Sequence, residues 1–221
     1  MSTQTRQRIL GAAIELFAAQ PRNKVAMVDV AQEVGISGPA LYRYFRNREE
    51  LFYAAVEEDL NRLMFGILRE FVDEPKPIMG GKVWDTYAVR YVNHPLAGAA
   101  VNSRDPKVLD LVRDCDSTQL LLRAFAEEHT AAYAAGIFRQ DISDEALCRQ
   151  ASYMVYTASI PLILAGKHYT EEWFSVQGVV IAAAFYPVPN WFDEVEVAAF
   201  VARVNSLGPD HALQEYFAQA D

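Results

Sequence analysis

The amino-acid sequence predicts an all-α protein, in which an N-terminal three-helix helix-turn-helix domain is followed by a larger helical domain. Apolar residues recur at spacings of three and four along most of the 221 residues, as in amphipathic helices. No segment alternates polar and apolar residues between hairpin turns, the pattern typical of strands. We predict a helix-turn-helix domain over residues 1–47 and a helical domain over 48–221, beginning with a connecting helix over about 48–72.

The first three predicted helices are short and separated by two turns. They cover Thr3–Ala19, Val28–Val34 and Gly38–Phe45. Gly35 follows the second helix where the chain needs a positive φ, and the small Ala31 lies where two helices would cross. Ser37 is a typical N-cap, and Pro39 stands in the first turn, where a missing N–H costs nothing. This arrangement leaves the third helix free to enter a DNA major groove.

The fourth predicted helix is the longest of the N-terminal half. It begins at Asn47, which has capping-box spacing with Glu50, and its apolar face continues for about six turns. The prolines at 75 and 77 end it. The remaining predicted helices cover Val83–Val92, Pro95–Val101, Pro106–Arg113, Ser117–Ala135, Asp144–Ala165, Glu171–Phe185, Asp193–Ser206 and Pro209–Gln219.

Charge is distributed unevenly along the chain. The formal net charge is −9 at pH 7, whereas residues 1–50 contain seven basic and five acidic side chains and therefore carry +2. An acidic excess of −11 lies in the remainder. A basic N-terminal segment on an acidic body fits a DNA-binding protein, because the acidic surfaces keep non-specific DNA contact low.

The sequence disfavours membrane proteins, metalloproteins and enzymes of familiar classes. The nearly uncharged stretches fall short of the ~20 apolar residues that cross a bilayer, and the N-terminus has no apolar signal segment. We therefore expect a cytoplasmic protein without membrane contact. Cys115 and Cys148 lack metal-binding spacing, and no His-Glu-x-x-His, Glu-x-x-His, Gly-x-Ser-x-Gly or Walker motif occurs. We expect no catalytic residues, metal or cofactor, which leaves a helical-bundle enzyme the least favoured class.

Four segments, in this order, resemble the N-terminal domain of TetR-family transcriptional regulators: Ile9–Ala18, Val30–Ser37, Leu41–Phe45 and Asn47–Leu51. The resemblance covers roughly the first 55 residues. It implies an N-terminal DNA-binding domain and a larger C-terminal domain that forms a homodimer and binds a small-molecule effector. The implied function is a repressor that an effector releases from a palindromic operator. A helical ligand-binding or interaction module of the same fold, without operator binding, is the alternative.

The resemblance also implies which residues contact double-stranded DNA. They are Gly38, Pro39, Ala40, Tyr42 and Arg43 of the third helix, together with Arg48, Lys24 and Arg22. Arg43 is the residue expected to read bases, since a guanidinium bonds bidentately to guanine. Tyr42 matches a position that commonly presents its hydroxyl to a phosphate. The small residues at 38–40 let the helix approach the bases closely.

The chain departs from the family pattern at the start of the second helix. It has Ala26 where the family favours Thr or Ser, and Val28 where Arg is common. Both positions are normally phosphate anchors. Their loss should weaken DNA binding or transfer the role to Arg22, Lys24 and Arg6.

The second domain carries side chains that fit an effector pocket. They are Trp84, Tyr87, Phe125, His129, Tyr133, Tyr153 and Met154. Such a lining favours an apolar or aromatic effector, and the lack of a basic cluster disfavours a strongly anionic one. Packing of the same side chains in the core is the alternative. Small residues over 144–165 and 171–185 predict an intersubunit four-helix bundle, for which an intrachain core is the alternative.

Overall fold

The computed structural model describes residues 2–76, 86, 90, 93–103, 105–147, 185 and 194–220, and within them every regular element is an α-helix. The helices are α1 (Thr3–Ala19), α2 (Met27–Val34), α3 (Gly38–Tyr42), α4 (Arg48–Glu70), α5 (Pro95–Asn102), α6 (Pro106–Asp114), α7 (Asp116–Ala134), α8 (Glu194–Asn205) and α9 (His211–Ala220). The predicted all-α class is confirmed. The helices predicted over 83–92, 144–165 and 171–185 lie largely outside the described residues. Across the described ranges, no helix has both the length and the apolar character needed to cross a bilayer.

The chain forms two compact units by its internal contacts. The first unit comprises Met1–Leu63 and Tyr91–Asp116, and the second comprises Met64–Arg90 and Ser117–Asp221. Helix α4 contributes residues to both units. The domain boundary after residue 47 stays a prediction, because this grouping reflects packing and does not test where an independently folding domain ends.

Helices α1, α2 and α3 share an apolar core in the first unit. Ile9 and Leu10 of α1, Val30 of α2 and Leu41 of α3 are fully buried. Val34 is also buried, as its position in the apolar pattern predicts. Removing this much apolar surface from water is the main force that holds three short helices together, since helices of five and eight residues are unstable alone.

The turn between α2 and α3 has the predicted geometry. Gly35 has a φ of 74°, in the left-handed region that glycine adopts without steric cost. The half-buried Ile36 donates its N–H to the Ala31 carbonyl at 2.9 Å, which satisfies the end of α2. The Ser37 Oγ accepts a hydrogen bond from the Ala40 N–H at 3.3 Å and so caps α3.

Helix α3 is shorter than predicted. It ends at Tyr42, whereas the sequence pattern extends it to Phe45. The N–H groups of Arg43 and Tyr44 donate to carbonyls three residues back, at 3.2 and 2.9 Å, so the last turn is tighter than an α-helix. Phe45 is nevertheless 2% exposed, and the half-buried Tyr44 lies beside it. Apolar spacing thus predicts burial here but not the helical backbone.

Helix α4 begins with a variant of the predicted capping box. The Asn47 Oδ1 accepts from the Glu50 N–H at 2.8 Å. The Glu50 carboxylate in turn accepts from the Arg46 N–H at 2.7 Å rather than from Asn47. The helix then runs for 23 residues to Glu70. A well-capped start fixes the direction of α4 where it leaves the α3 region.

The second unit has its own apolar core beside the end of α7. Its buried members are Ala132, Ile137, Phe138, Leu147 and Phe185. Gly136 ends α7 with a φ of 64°, and the Arg203 guanidinium donates to the carbonyls of Ala135 and Gly136 at 2.8 and 2.6 Å. The side chain of Arg203 thereby satisfies carbonyls that the helix leaves open.

Candidate nucleic-acid interface

Helix α3 is anchored by apolar side chains and presents polar ones to solvent. Leu41 is fully buried, whereas Tyr42 is 54% exposed and Arg43 is exposed. None of the described residues pairs with the Arg43 guanidinium or the Tyr42 hydroxyl. These two groups therefore keep their hydrogen-bonding capacity for a ligand outside the chain.

The N-terminal end of α3 leaves room for close approach. A Cβ built on Gly38 meets no other atom within 4 Å. Gly38 does not adopt a positive φ, so the fold itself does not require glycine there. Pro39 is exposed and Ala40 is half-buried. The lack of a side chain at Gly38 is thus not required by packing within the protein.

The start of α2 has no basic side chain. Ala26 has no side-chain acceptor, so the N-cap bond is missing and only the Asp29 carboxylate accepts from the Ala26 N–H, at 3.0 Å. Val28 is 63% exposed. The exposed Asp29 favours the helix N-terminus electrostatically but repels a phosphate. The start of α2 therefore supplies neither of the two phosphate-binding side chains that the family pattern has at positions 26 and 28.

Arg22 is held by neighbours in the first unit. Its guanidinium lies 4.4 Å from the Phe52 ring centroid and 4.8 Å from that of Tyr53. It also contacts the Tyr53 hydroxyl at 3.3 Å and the Asp105 carboxylate at 3.5 Å. Asp105 is 83 residues away in sequence, which explains why the basic pattern of the turn could not reveal this engagement.

Lys24 belongs to the 21–24 turn, and Arg48 contacts the same turn from the start of α4. The Arg48 guanidinium donates to the Asn23 carbonyl at 3.1 Å, and both basic side chains are exposed. Arg48 is the first residue of α4. The two exposed positive side chains at this turn favour an anion such as a phosphate.

Two further arginines have contacts that the sequence did not indicate. The Arg8 guanidinium donates to the Val34 carbonyl at 2.6 Å and closes the C-terminal end of α2. Arg6, which the sequence offered as a substitute phosphate anchor, lies 5.5 Å from the Phe45 ring centroid. Arg8 therefore has a structural role, and Arg6 lies against the residue that anchors the end of the α3 segment.

The family comparison fits this geometry. Residues 9–55, which span α1 to the first turns of α4, match the family described as "Bacterial regulatory proteins, tetR family". The N-terminal part of the chain therefore matches the TetR family over these residues. The resemblance drawn from the sequence motifs is confirmed.

Known TetR-type proteins resemble different parts of the chain. An uncharacterised HTH-type transcriptional regulator of Mycobacterium tuberculosis is 35% identical over 101 residues, which are 45% of this chain and 50% of that protein. The chain thus spans about half the length of the curated relatives it matches first. These relatives are regulators and not enzymes.

Solved structures of low identity share the fold over most of the chain. The fatty acid degradation regulator FadR from Bacillus halodurans is 12% identical, covers 83% of this chain and 96% of its own, and has a TM-score of 0.57. RolR, solved in complex with resorcinol, is 14% identical, covers 91% and 93% respectively, and has a TM-score of 0.55. At these identities, the likeness shows a shared fold and nothing finer.

The second unit contains part of the predicted effector pocket. Phe125 and His129 are buried one turn apart on α7, and Tyr133 is half-buried one turn further on. The His129 ring lies 5.1 and 5.0 Å from the ring centroids of Phe138 and Phe185. Burial lowers the pKa of His129, and its Nδ1 lies 2.5 Å from the Phe125 carbonyl, so the ring is a neutral donor there.

The other four predicted pocket residues lie outside the described residues. They are Trp84, Tyr87, Tyr153 and Met154. The same holds for the small residues predicted to form the dimer interface over 148–165 and 171–184. The effector pocket and the four-helix interface stay predictions.

Two buried acidic residues in the second unit were not predicted. Glu128 is 3% exposed and Asp210 is 1% exposed, and one carboxylate oxygen of each has no hydrogen-bond partner among the described residues. Burial, reinforced by the charge of Asp210, raises the pKa of Glu128 well above its usual value. Burial also raises the pKa of Asp210 to about 6. The spacing of Glu128 from Ala124 and Ala132 places it on the buried stripe of α7 and could have indicated its burial.

Proposed function

We propose that this TetR-family protein is a homodimeric transcriptional regulator that represses by binding a palindromic operator and is released by a small-molecule effector. The observation that carries the proposal is which side chains of the α3 segment are exposed and which are buried. Tyr42 and Arg43 are exposed and bind no described residue, while Leu41 and Phe45 beside them are buried. To read a major groove, a helix must be held in place by its buried face and must present polar side chains without partners on its exposed face.

In this proposal, the α3 residues have different roles in DNA recognition. Arg43 bonds bidentately to the O6 and N7 of a guanine, which discriminates it from other bases. Tyr42 donates its hydroxyl to a phosphate oxygen and fixes the position of the helix in the groove. The small residues Gly38 and Ala40, with Pro39, bring the helix end close enough for apolar contact with a thymine methyl group.

Outside α3, the proposed phosphate contacts are the basic side chains near the 21–24 turn. Lys24, in that turn, and Arg48, which donates to the Asn23 carbonyl of that turn, are both exposed. Arg22 contributes once a phosphate competes with its present contacts at 3.3 to 3.7 Å. Because Ala26 and Val28 supply no charge, each of these cations carries a larger share of the electrostatic term.

The effector is proposed to be an apolar or aromatic molecule that binds in the second unit. The neutral His129 among three phenylalanine rings supports this chemistry, since it offers one polar group in apolar surroundings. RolR with resorcinol is a neighbour of the same fold that holds an aromatic ligand. The effector acts only to the extent that it binds the DNA-bound and released states unequally. Helix α4, which has residues in both units, is the proposed carrier of the change.

Quantitative footprinting on the DNA upstream of the protein's own gene tests the proposal. We expect two protected half-sites whose centres lie about one helical turn apart or slightly more. The salt dependence of binding separates the contacts further. Lys24→Ala and Arg48→Ala should each lower the salt slope by about 1, whereas Arg62→Ala should leave it unchanged. Arg62 is a matched control because it pairs with Glu58 on the surface of α4.

A uniform, sequence-independent protection would contradict the operator proposal. It would favour the alternative of a helical module that keeps the fold without specific operator binding. That alternative is not favoured by the matches to named HTH-type regulators. A protein that stays monomeric at micromolar concentration would contradict the two-half-site geometry.

A further inference from the structure

A cleft of about 560 Å³ opens within the first unit, between the C-terminal end of α1 and helix α5. This volume lies in the ~300–1,000 Å³ range of small-molecule sites. The residues that line it include the small Ala18, Ala19 and Ala99, together with Phe52, Arg22 and Asp105.

Among the residues that line this cleft, Arg22 is the one with a positive charge. The Phe52 ring, 4.4 Å away, holds it in place. Its polar contacts are all long: 3.3 Å to the Tyr53 hydroxyl, 3.5 Å to Asp105 and 3.7 Å to Glu49. A charge-assisted N–H···O bond is normally about 2.7–2.9 Å, so a better-placed acceptor would gain energy here.

The neighbouring carboxylates are bound more closely by other donors. Asp105 accepts from the Tyr53 hydroxyl at 2.7 Å and from the Lys107 N–H at 3.0 Å. Glu49 accepts from the Lys107 ammonium at 2.7 Å. The hydrogen bond from Tyr53 is also the main reason why the pKa of Asp105 is lowered. These acids hold Arg22 loosely and leave it available to an incoming anion.

We propose that this cleft binds a small monocarboxylate with an apolar body. The carboxylate pairs with the Arg22 guanidinium, and the body lies against the exposed alanine walls. A cationic ligand is disfavoured because Arg22 and Lys107 both lie near Asp105, and the carboxylate already has close donors. This site is separate from the proposed effector pocket, whose residues belong to the second unit.

Occupation of the cleft has a consequence for DNA. Arg22 is one of the proposed phosphate contacts, so a carboxylate bound to it removes one cation from the interface. Bound carboxylate should therefore lower DNA affinity by a few-fold, together with the salt slope. This consequence rests on the proposed function, whereas binding to the cleft does not.

Isothermal titration calorimetry of the full chain without DNA tests the cleft directly. The probes are benzoate and hexanoate, with benzamide as the uncharged counterpart of benzoate. We expect saturable binding of at least one carboxylate and at least about tenfold weaker binding of benzamide, because a hydrogen bond to a charged group is lost. Arg22→Gln should weaken carboxylate binding about tenfold or more, whereas Arg62→Gln should leave it unchanged. Ala99→Phe should abolish binding by filling the cleft with Arg22 intact.

Thermal melts of each variant establish that it is folded. If Ala99→Phe does not fold, the comparison of benzoate with benzamide and the Arg22→Gln variant still test the proposal. The proposal is overturned if neither carboxylate binds, if benzamide binds as tightly as benzoate, or if Arg22→Gln binds like the wild type. Failure to bind any DNA would contradict the proposed function without changing what the calorimetry shows about carboxylate binding to the cleft.

Discussion

In the first unit, the polar groups Tyr42 and Arg43 lie on the surface of a helix whose apolar residues are buried. In the second unit, the polar groups Glu128 and Asp210 are themselves buried, each with a carboxylate oxygen that lacks a hydrogen bond from the described residues. The first arrangement costs the fold little and reserves hydrogen bonds for a ligand. The second costs stability, because burial disfavours the charged carboxylate. Substitution of these polar groups should therefore change DNA binding in the first unit and stability in the second.

The buried side of α3 should give the largest effect on folding. Leu41→Ala is expected to lower the free energy of unfolding by about 2–5 kcal/mol, since it leaves a cavity in a fully buried site. Chemical denaturation of the variant measures this loss. A loss of unfolding free energy below about 1 kcal/mol would mean that α3 is not held by this core. The first unit would then not differ from the second in the way described.

Glu128→Gln should act on the second unit in the opposite direction. The raised pKa means that Glu128 stabilises the folded state at low pH and loses that contribution as pH rises above its unfolded-state value of 4.5. The variant should therefore be more stable than the wild type at pH 7.5, by on the order of 1–3 kcal/mol, and equal to it near pH 4.5. Melting curves at the two pH values measure the difference. A variant that is less stable at both pH values would show that the carboxylate is satisfied.

The pH dependence of Asp210 should be smaller and fall in a defined window. Its folded pKa of about 6 exceeds its ordinary value of 3.8, so its contribution is full below that value and is lost as pH rises through about 6. Asp210→Asn keeps an oxygen that can accept from the N–H groups at the start of α9, as Oδ1 now does at 2.9 and 3.2 Å. The variant should flatten the stability profile between pH 4 and 6. An unchanged profile would assign the slope to other groups, among them Glu128, whose pKa is also raised by burial.

Gly38→Ala should give the smallest effect on folding, and it separates an effect on DNA binding from one on stability most clearly. The added Cβ meets no atom of the protein within 4 Å, so stability should change by less than about 1 kcal/mol. If the 38–40 surface touches bases, the same Cβ should lower DNA affinity. Equal DNA affinity of variant and wild type would place that surface away from the bases.

Local sequence signals predicted the first unit well. The left-handed Gly35, the Ser37 cap and the bounds of α1 depend on neighbours within a few residues, and all were predicted. Apolar spacing likewise predicted that Leu41 would be buried, because a helix repeats its buried face every three to four residues.

Features that depend on distant residues were not predicted. The sequence indicated that Arg22 is basic and near the reading helix, but not that Asp105 and the Tyr53 ring engage it. Glu128 lies on the buried stripe of α7 between Ala124 and Ala132, although charged side chains of its type are usually exposed. Charge predicts surface exposure only when tertiary contacts do not intervene.

The central claim is that the exposed face of α3 reads DNA without supporting the fold. The double variant Tyr42→Phe with Arg43→Ala tests it most directly, through fluorescence anisotropy on the footprinted operator and a thermal melt of the same sample. We expect operator affinity to fall by at least tenfold, consistent with about 1–3 kcal/mol for a bidentate base contact, while stability stays within about 0.5 kcal/mol. Unchanged operator affinity in a folded double variant would contradict the claim.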